Sequence, residues 1–155
     1  MQNLEIVGVP MNRDENVITL ATNIASVLGV ELVPAEIDAI HRVPRPQAVG
    51  SNVQQKPKNI IIRFASRMKR NEFISAAKKK RGLNARDIGF GSDARIFINE
   101  HLSKYYKDLF YKAKAKCTEN NFKYIWIKDC KIYARKTDAG RVVHISTEAD
   151  LNRLV

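Results

Sequence analysis

Four short apolar runs, each closed by proline or by a polar stretch, predict β-strands in roughly the first hundred residues. These runs are residues 4–9, 37–43, 58–64 and 96–98. The third is the clearest, because its consecutive isoleucines favour a pleated, half-buried surface. Residues 44–57 are rich in proline, glutamine, glycine, serine and asparagine without an apolar period, so they predict a loop.

Two helices are predicted between these strands. Asp14 is a favourable N-cap for a segment with helical apolar spacing that stops at Gly29, and Ser66 caps a second segment that runs to Gly82. The resulting order, β-α-β-β-α-β, predicts a split βαβ sandwich with its helices on one face of the sheet. RNA-recognition-motif domains have this order, and so do many ferredoxin-like enzymes and metal carriers, so topology alone does not decide function.

A second, smaller domain is predicted after residue 98. It opens with a long helix whose apolar face includes Leu109, Ala113 and Cys117, followed by strands at 122–127, 131–136 and 142–145. Thr147 with Asp150 three residues later resembles a capping box for a last short helix. The predicted class is α+β. Residues 1–98 form an atypical RNA-recognition-motif-like sandwich, and residues 99–155 a small α/β domain with a three-stranded antiparallel sheet.

Charge changes this picture most. The chain of 155 residues has 27 Lys+Arg against 16 Asp+Glu and a net charge of +11, while its 45% apolar content is that of a globular protein. Its two cysteines exclude a disulfide scaffold, and no apolar run approaches the ~20 residues that span a bilayer. The excess lies in residues 63–86, with net +8, and 101–136, with net +7. Such segments favour a polyanionic partner, nucleic acid first and an anionic membrane surface second.

An ordered series of short motifs resembles two related protein families. The motifs are NLEIVGVP at 3–10, HRV at 41–43, IIIRF at 60–64, INE at 98–100, and YIWIKD at 124–129 with Lys131-Ile132. They are similar to the first open-reading-frame protein of LINE-type retrotransposons and to the baculovirus few-polyhedra protein and its insect relatives. The C-terminal motif is similar to the insect and viral branch. The resemblance implies an RNA-recognition motif and a C-terminal domain that jointly bind single-stranded nucleic acid, and in the retrotransposon branch a coat and chaperone of RNA.

The resemblance also sets expectations about partners. We expect single-stranded RNA first and DNA second, no membrane and a cytoplasmic or nuclear location. Retrotransposon relatives are trimerised by an upstream coiled coil, whereas the first predicted strand here begins at residue 4, so we expect a monomer.

The predicted sheet lacks the aromatic platform on which an ordinary RNA-recognition motif stacks bases. Glu5 stands where an aromatic residue would, and the predicted helix-free face of the third strand carries Asn59, Ile61 and Arg63. Backbone phosphates are therefore the expected target. Arg42 is equally a candidate phosphate ligand and a structural partner of Glu5 or Asp38.

Two groups of cations complete the predicted interface. The run 78–81 exceeds what a helix end needs, although a solvated helix terminus and a nuclear-localisation signal are alternatives. Lysines of the long helix form a predicted rail, with Lys112 as a further candidate, and solubility is the alternative. The candidate nucleic-acid-binding residues are Arg42, Lys58, Arg63, Arg67, Lys69, Arg70, Lys78, Lys79, Lys80, Arg81, Lys104, Lys107 and Lys114.

Four aromatic residues of the second domain are candidates for stacking on unpaired bases. They are Tyr105, Tyr111, Trp126 and Tyr133. We expect Trp126 and at least one of these tyrosines to be packed in the core instead.

Catalysis has little support in the sequence. The three histidines are far apart, Cys117 and Cys130 have no zinc-like spacing with histidine, and no phosphate-binding glycine motif occurs. We expect no enzyme, no metal and no cofactor. The alternative function is a protein-interaction scaffold of few-polyhedra-like or domesticated type that uses the same fold without RNA recognition. A ferredoxin-like enzyme is a third class.

Overall fold

The computed structural model describes residues 3–43 and 56–155 and divides into two compact units. One unit ends at Asn99 and the other comprises Glu100–Val155. The predicted boundary lay after residue 98. Residues 44–55 of the predicted loop lie outside the described residues.

The first unit has a four-stranded sheet and two α-helices. Its elements are β1 (Asn3–Val7), α1 (Val17–Leu28), β2 (Ile37–Arg42), β3 (Ile60–Phe64), α2 (Arg67–Lys79) and β4 (Phe97–Glu100). The strands are arranged in the order β2-β3-β1-β4, and β3 is antiparallel to both β1 and β2. Together with the second unit, this confirms the α+β class.

Alternation along the strands builds the core of this unit. Leu4 and Ile6 of β1, and Ile60, Ile62 and Phe64 of β3, are fully buried, because successive residues of a strand face opposite sides of the sheet. The rings of Phe64 and Phe73 lie 5.4 Å apart where α2 covers the sheet. On the opposite face Arg63 is exposed. Ile61, predicted in the outward set, is not part of the helix-side core, which confirms the alternation, although it is only 5% exposed.

The helix termini correct two predicted boundaries. Helix α1 is capped by Asn16 rather than Asp14, since the Asn16 side chain accepts hydrogen bonds from the backbone of Ile18 and Thr19. The predicted stop at Gly29 is confirmed, with φ of 79°. Ser66 caps α2 as predicted, but the helix ends at Lys79, because Lys80 has extended backbone angles.

The second unit packs a helix on one face of a three-stranded antiparallel sheet. Its elements are α3 (Lys104–Glu119), β5 (Tyr124–Lys128), β6 (Lys131–Arg135), β7 (Val143–Ile145) and a closing 3₁₀ helix (Glu148–Arg153). The core contains Leu109, Ala113 and Cys117 of α3 as predicted, with Ile132 and Ala134 of β6. The last helix is 3₁₀ rather than α.

Trp126 does not belong to this core, contrary to expectation. Its neighbours Ile125 and Ile127 pack against the core, so alternation places the half-buried Trp126 on the other face of the sheet. None of the three candidate tyrosines is buried, since Tyr105 and Tyr111 are exposed and Tyr133 is half-buried. Among the helices in the described parts of the chain, none has the length and apolar character needed to cross a bilayer.

A tight turn between β5 and β6 stores backbone strain. Asp129 and Cys130 have φ of 53° and 61°, the left-handed region that the two central residues of a type I′ hairpin turn require. Only glycine adopts this region without a steric cost from Cβ. The hairpin therefore holds Cys130 in a conformation that its side chain disfavours.

We expect the substitution Cys130→Gly to stabilise the protein. Relief of the left-handed strain raises the free energy of unfolding by up to about 1 kcal/mol, after the added flexibility of glycine in the unfolded chain is subtracted. Urea denaturation measures the difference. Lys128→Gly, in extended strand backbone, is the control and lowers stability; a loss of stability for Cys130→Gly would contradict the strain argument.

Candidate nucleic-acid interface

The predicted cations differ in whether their charge is already satisfied by the protein. Arg42 is the clearest satisfied case: Nε and Nη2 donate to the Glu15 carboxylate at 2.7 and 2.8 Å. Nη1 donates to the carbonyl oxygens of Val9 and Lys58, and Nη2 also to that of Pro10. These bonds use all five N–H donors of the guanidinium, and the side chain is only 8% exposed. Arg42 is thus structural, and its partner is Glu15 rather than Glu5 or Asp38.

Two further candidates are engaged within the first unit. Lys69 donates to the carbonyl of Glu31 and pairs with the carboxylates of Glu36 and Glu72 at 3.3 and 3.2 Å. Arg70 is 2% exposed, and its Nη1 donates to Asn71.

Arg63 is engaged more loosely. It is exposed but pairs with Asp38, its neighbour on β2, at 3.1 Å. Arg67 is exposed on the first turn of α2.

Neither Lys69 nor Arg70 can reach a phosphate without breaking a contact that stabilises the fold.

The remaining candidates carry accessible charge. Lys107 is exposed on α3. Within residues 3–43 and 56–155, seven candidates have no side-chain hydrogen bond or ion pair with a protein group: Lys58, Lys78, Lys79, Lys80, Arg81, Lys104 and Lys114. These side chains break no hydrogen bond or ion pair within the described residues when they bind an anion, although Lys114 also lies over the Phe110 ring at 5.9 Å.

The end of α2 gathers such charges around a groove. Lys78, Lys80 and Arg81 line a cavity of about 210 Å³ together with Arg95 and Phe97 of the β4 edge. The Arg95 guanidinium lies 5.5 Å from the centre of the Phe97 ring, and Phe97 is 48% exposed. We call this cavity the basic groove. It places four cations beside an exposed aromatic ring, a combination that suits phosphates and an unpaired base.

A glycine fixes one wall of the basic groove. Gly8 has φ of 95°, and a Cβ at this position would overlap the carbonyl oxygen of Arg95. The backbone after β1 therefore approaches the segment that carries Arg95 and Phe97 as closely as only glycine permits.

Three lysines of the predicted rail share one face of α3. Lys104, Lys107, Tyr111 and Lys114 recur at helical spacing opposite the buried face of Leu109 and Ala113, and Tyr111 is 78% exposed. Lys112 lies off this face, where it pairs with Glu148 at 2.5 Å. The hydrogen bond to Glu148 raises the pKa of Lys112.

Sequence reasoning missed two groups of residues. Arg95 and Phe97 received no functional role, although an aromatic residue that alternates with Ile96 and Ile98 is a signal for the helix-free face. It also missed that Trp126, Tyr133 and His144 are neighbours, with Trp126 opposite Tyr133 and Tyr133 opposite His144. This pairing depends on the register of β5, β6 and β7, which is set by the lengths of the turns between them. The pattern of apolar residues does not determine those lengths.

Reactive chemistry is not evident in the described parts of the chain. No group of three or more His, Cys, Asp or Glu side chains there has the proximity to hold a metal ion. Burial raises the pKa of the Cys117 thiol, which keeps it protonated and weakly nucleophilic.

Arg42 should matter for folding more than for binding. We expect Arg42→Lys to lower the free energy of unfolding by about 2–4 kcal/mol, because lysine cannot replace the paired bonds to Glu15 and the carbonyls. Arg63→Lys, at an exposed ion pair, is the control and costs less than about 1 kcal/mol. Equal effects of the two substitutions in urea denaturation would refute the structural role of Arg42.

Glu15 makes part of this stability dependent on pH. The hydrogen bond from Arg42 lowers the pKa of Glu15 below its usual value near 4.5. Its contribution is therefore complete above that value and is lost as the pH falls through the lower folded pKa. Denaturation of wild type and Glu15→Gln from pH 7 to 2 should show a stability difference that shrinks only below about pH 4.5. A difference that does not change with pH would contradict this linkage.

Comparison with known proteins bears on the second unit. No curated protein matches the chain. The match to a protein family covers α3, the three-stranded sheet and the closing 3₁₀ helix, and it supports the few-polyhedra part of the resemblance. Residues 103–155 match the family described as Baculovirus FP protein domain 2.

Proposed function

We propose that the protein binds single-stranded nucleic acid, RNA first and DNA second, through phosphates and with little dependence on base sequence. One observation carries the proposal: within the described residues the cations of the basic groove lack carboxylate partners, whereas Arg42 and Lys69, which stabilise the fold, have them. Unpaired cations that crowd one wall repel one another, and a polyanion relieves this repulsion.

The shape of the groove favours a single strand over a duplex. The volume of about 210 Å³ admits a nucleotide-sized group, and the half-exposed Phe97 ring offers a stacking surface that only an unpaired base can reach. The lysine face of α3 offers a second set of accessible charges. An atypical RNA-recognition motif that coats or chaperones the nucleic acid of a retrotransposon-type ribonucleoprotein is the fuller form of this proposal. It rests on the resemblance.

The test is a salt series with a matched charge control. Fluorescence anisotropy of labelled oligouridylate should give a slope of log K against log salt of about −3 to −4, as expected for roughly 4–6 neutralised phosphates. Replacing Lys78, Lys80 and Arg81 by glutamine should weaken binding and flatten the slope by up to about 2, because each lost single-strand phosphate contact removes about 0.7.

The control removes three positive charges outside the groove and outside the lysine face of α3. Arg13→Gln, Arg86→Gln and Lys112→Gln change the net charge equally, but Arg86 pairs with Asp93 and Lys112 with Glu148. This triple variant should keep most of the affinity and the slope. Equal losses in both triple variants would mean that only net charge matters, and no binding by the wild type would favour the scaffold alternative.

A further inference from the structure

The open face of the second sheet carries a row of three aromatic rings. Trp126 and Tyr133 have ring centres 5.7 Å apart and planes at 25°, and Tyr133 and His144 have ring centres 5.2 Å apart and planes at 29°. Each strand contributes one ring, in the order β5-β6-β7. We call this row the aromatic ladder.

The core does not account for the ladder. The core of this unit lies on the other face, where Ile132, Ala134 and Ile145 are fully buried. Trp126 and Tyr133 remain half-buried and His144 is exposed. Cross-strand stacking stabilises a sheet by a few tenths to about 1 kcal/mol per pair, but β-branched residues would do this without exposing indole and imidazole rings to water.

The ladder ends at both edges of the sheet. Its rings are nearly parallel, so Tyr133 is flanked on both sides. The outer ring faces of Trp126 and His144 point past the edge strands β5 and β7. A planar group that joins the stack therefore extends it beside Trp126 or His144, and a nucleobase has this shape.

Two lysines beside the ladder indicate the charge of the ligand. Lys128 and Lys131 are directly opposite each other on β5 and β6, on the same face as Trp126 and Tyr133. Both are exposed, and neither has a hydrogen bond or ion pair within the described residues. Like charges directly opposite each other destabilise a sheet, so an anion at this position would be stabilising.

At the other end of the face the cations are engaged by neighbouring groups. Lys123 pairs with Asp138 at 2.8 Å, Asp138 also accepts from the Tyr124 hydroxyl, and Arg135 lies over the Tyr124 ring at 4.8 Å. Lys128 and Lys131, with Lys128 about 7 Å along the strand from Trp126, have no such contact within the described residues.

We infer that the aromatic ladder is a base-stacking site for single-stranded nucleic acid, in which an unpaired base stacks on the outer ring face of Trp126 and the neighbouring phosphate binds Lys128 and Lys131. The inference rests on the proposed function. It adds a second site, separate from the basic groove, that recognises a base by stacking against its planar ring.

Trp126 is the only tryptophan in the chain, so its fluorescence reports on this site alone. Oligouridylate is titrated into the full chain while Trp126 emission and the anisotropy of a labelled oligomer are recorded. An abasic oligomer of equal length, which keeps the phosphates, is the comparison ligand. Quenching should saturate with the anisotropy for oligouridylate, whereas the abasic oligomer should bind without comparable quenching.

Variants separate stacking from charge. Trp126→Leu should weaken binding of oligouridylate about five-fold or more and leave the abasic oligomer unaffected, because loss of one base–aromatic stack costs at least about 1 kcal/mol. Lys128→Gln with Lys131→Gln should weaken both ligands. Met68→Ala, which removes an exposed apolar side chain from α2, is the control and should leave the Trp126 quenching unchanged.

Two results would overturn the inference, and they differ in whether they also refute the proposed function. Full anisotropy change without Trp126 quenching, or equal losses for both oligomers in Trp126→Leu, refutes the stacking site and leaves the proposed function standing. A flat anisotropy with every oligomer refutes both.

Discussion

One guanidinium holds the first unit together. The five N–H groups of Arg42 join the chain after β1, the residue that precedes the cap of α1, and Lys58, two residues before β3. The N–H donors of a buried arginine must all be hydrogen-bonded. A shift of any of these segments would therefore leave part of the buried guanidinium without a partner. The sheet edge and the start of α1 are therefore set by a single side chain. The hydrophobic core supplies the driving force, and Arg42 sets the positions of the loops that connect it.

The same side-chain chemistry has opposite consequences at the other cations. Lys69 and Arg70 lie among carboxylates, carbonyls and an amide, which use their charge inside the fold. At the end of α2 the helix stops at Lys79, Lys80 has extended backbone angles, and the cations here have no carboxylate partner within the described residues. The basic residues at the start of α2 and those at its end are similar in number and spacing. What separates a structural cation from an accessible one is the neighbour that the fold provides, so a dense basic segment in a sequence mixes both kinds.

The parts of the structure that could be predicted are those decided by local chemistry. Gly29 ends α1 and Ser66 caps α2 because left-handed backbone and an N-terminal hydroxyl act within one turn. The buried face of α3 follows from its spacing in the same way. Trp126 was misplaced because hydrophobicity favours burial, whereas the register of β5 places its neighbours Ile125 and Ile127 in the core. Phe97 was overlooked although Arg95, two residues before it, lies over its ring and strand alternation puts both on one side. Arg42 was left undecided because its partner Glu15 becomes a neighbour only through the tertiary fold.

The close approach at Gly8 couples the fold to the basic groove. A substitution screen for nucleic-acid binding would mistake this coupling for a direct contact with the ligand. Any side chain at this position pushes against the Arg95 carbonyl and displaces the strand edge that presents Arg95 and Phe97. A screen that scores every substitution by nucleic-acid retention would mark Gly8 as sharply as a contact residue, although it has no side chain with which to touch a ligand. Single replacements among the lysines of the groove would score mildly, because their neighbours share the charge. Sensitivity to substitution would thus identify the positions that keep the backbone rigid. The residues that contact the ligand would be among the positions that tolerate single substitutions.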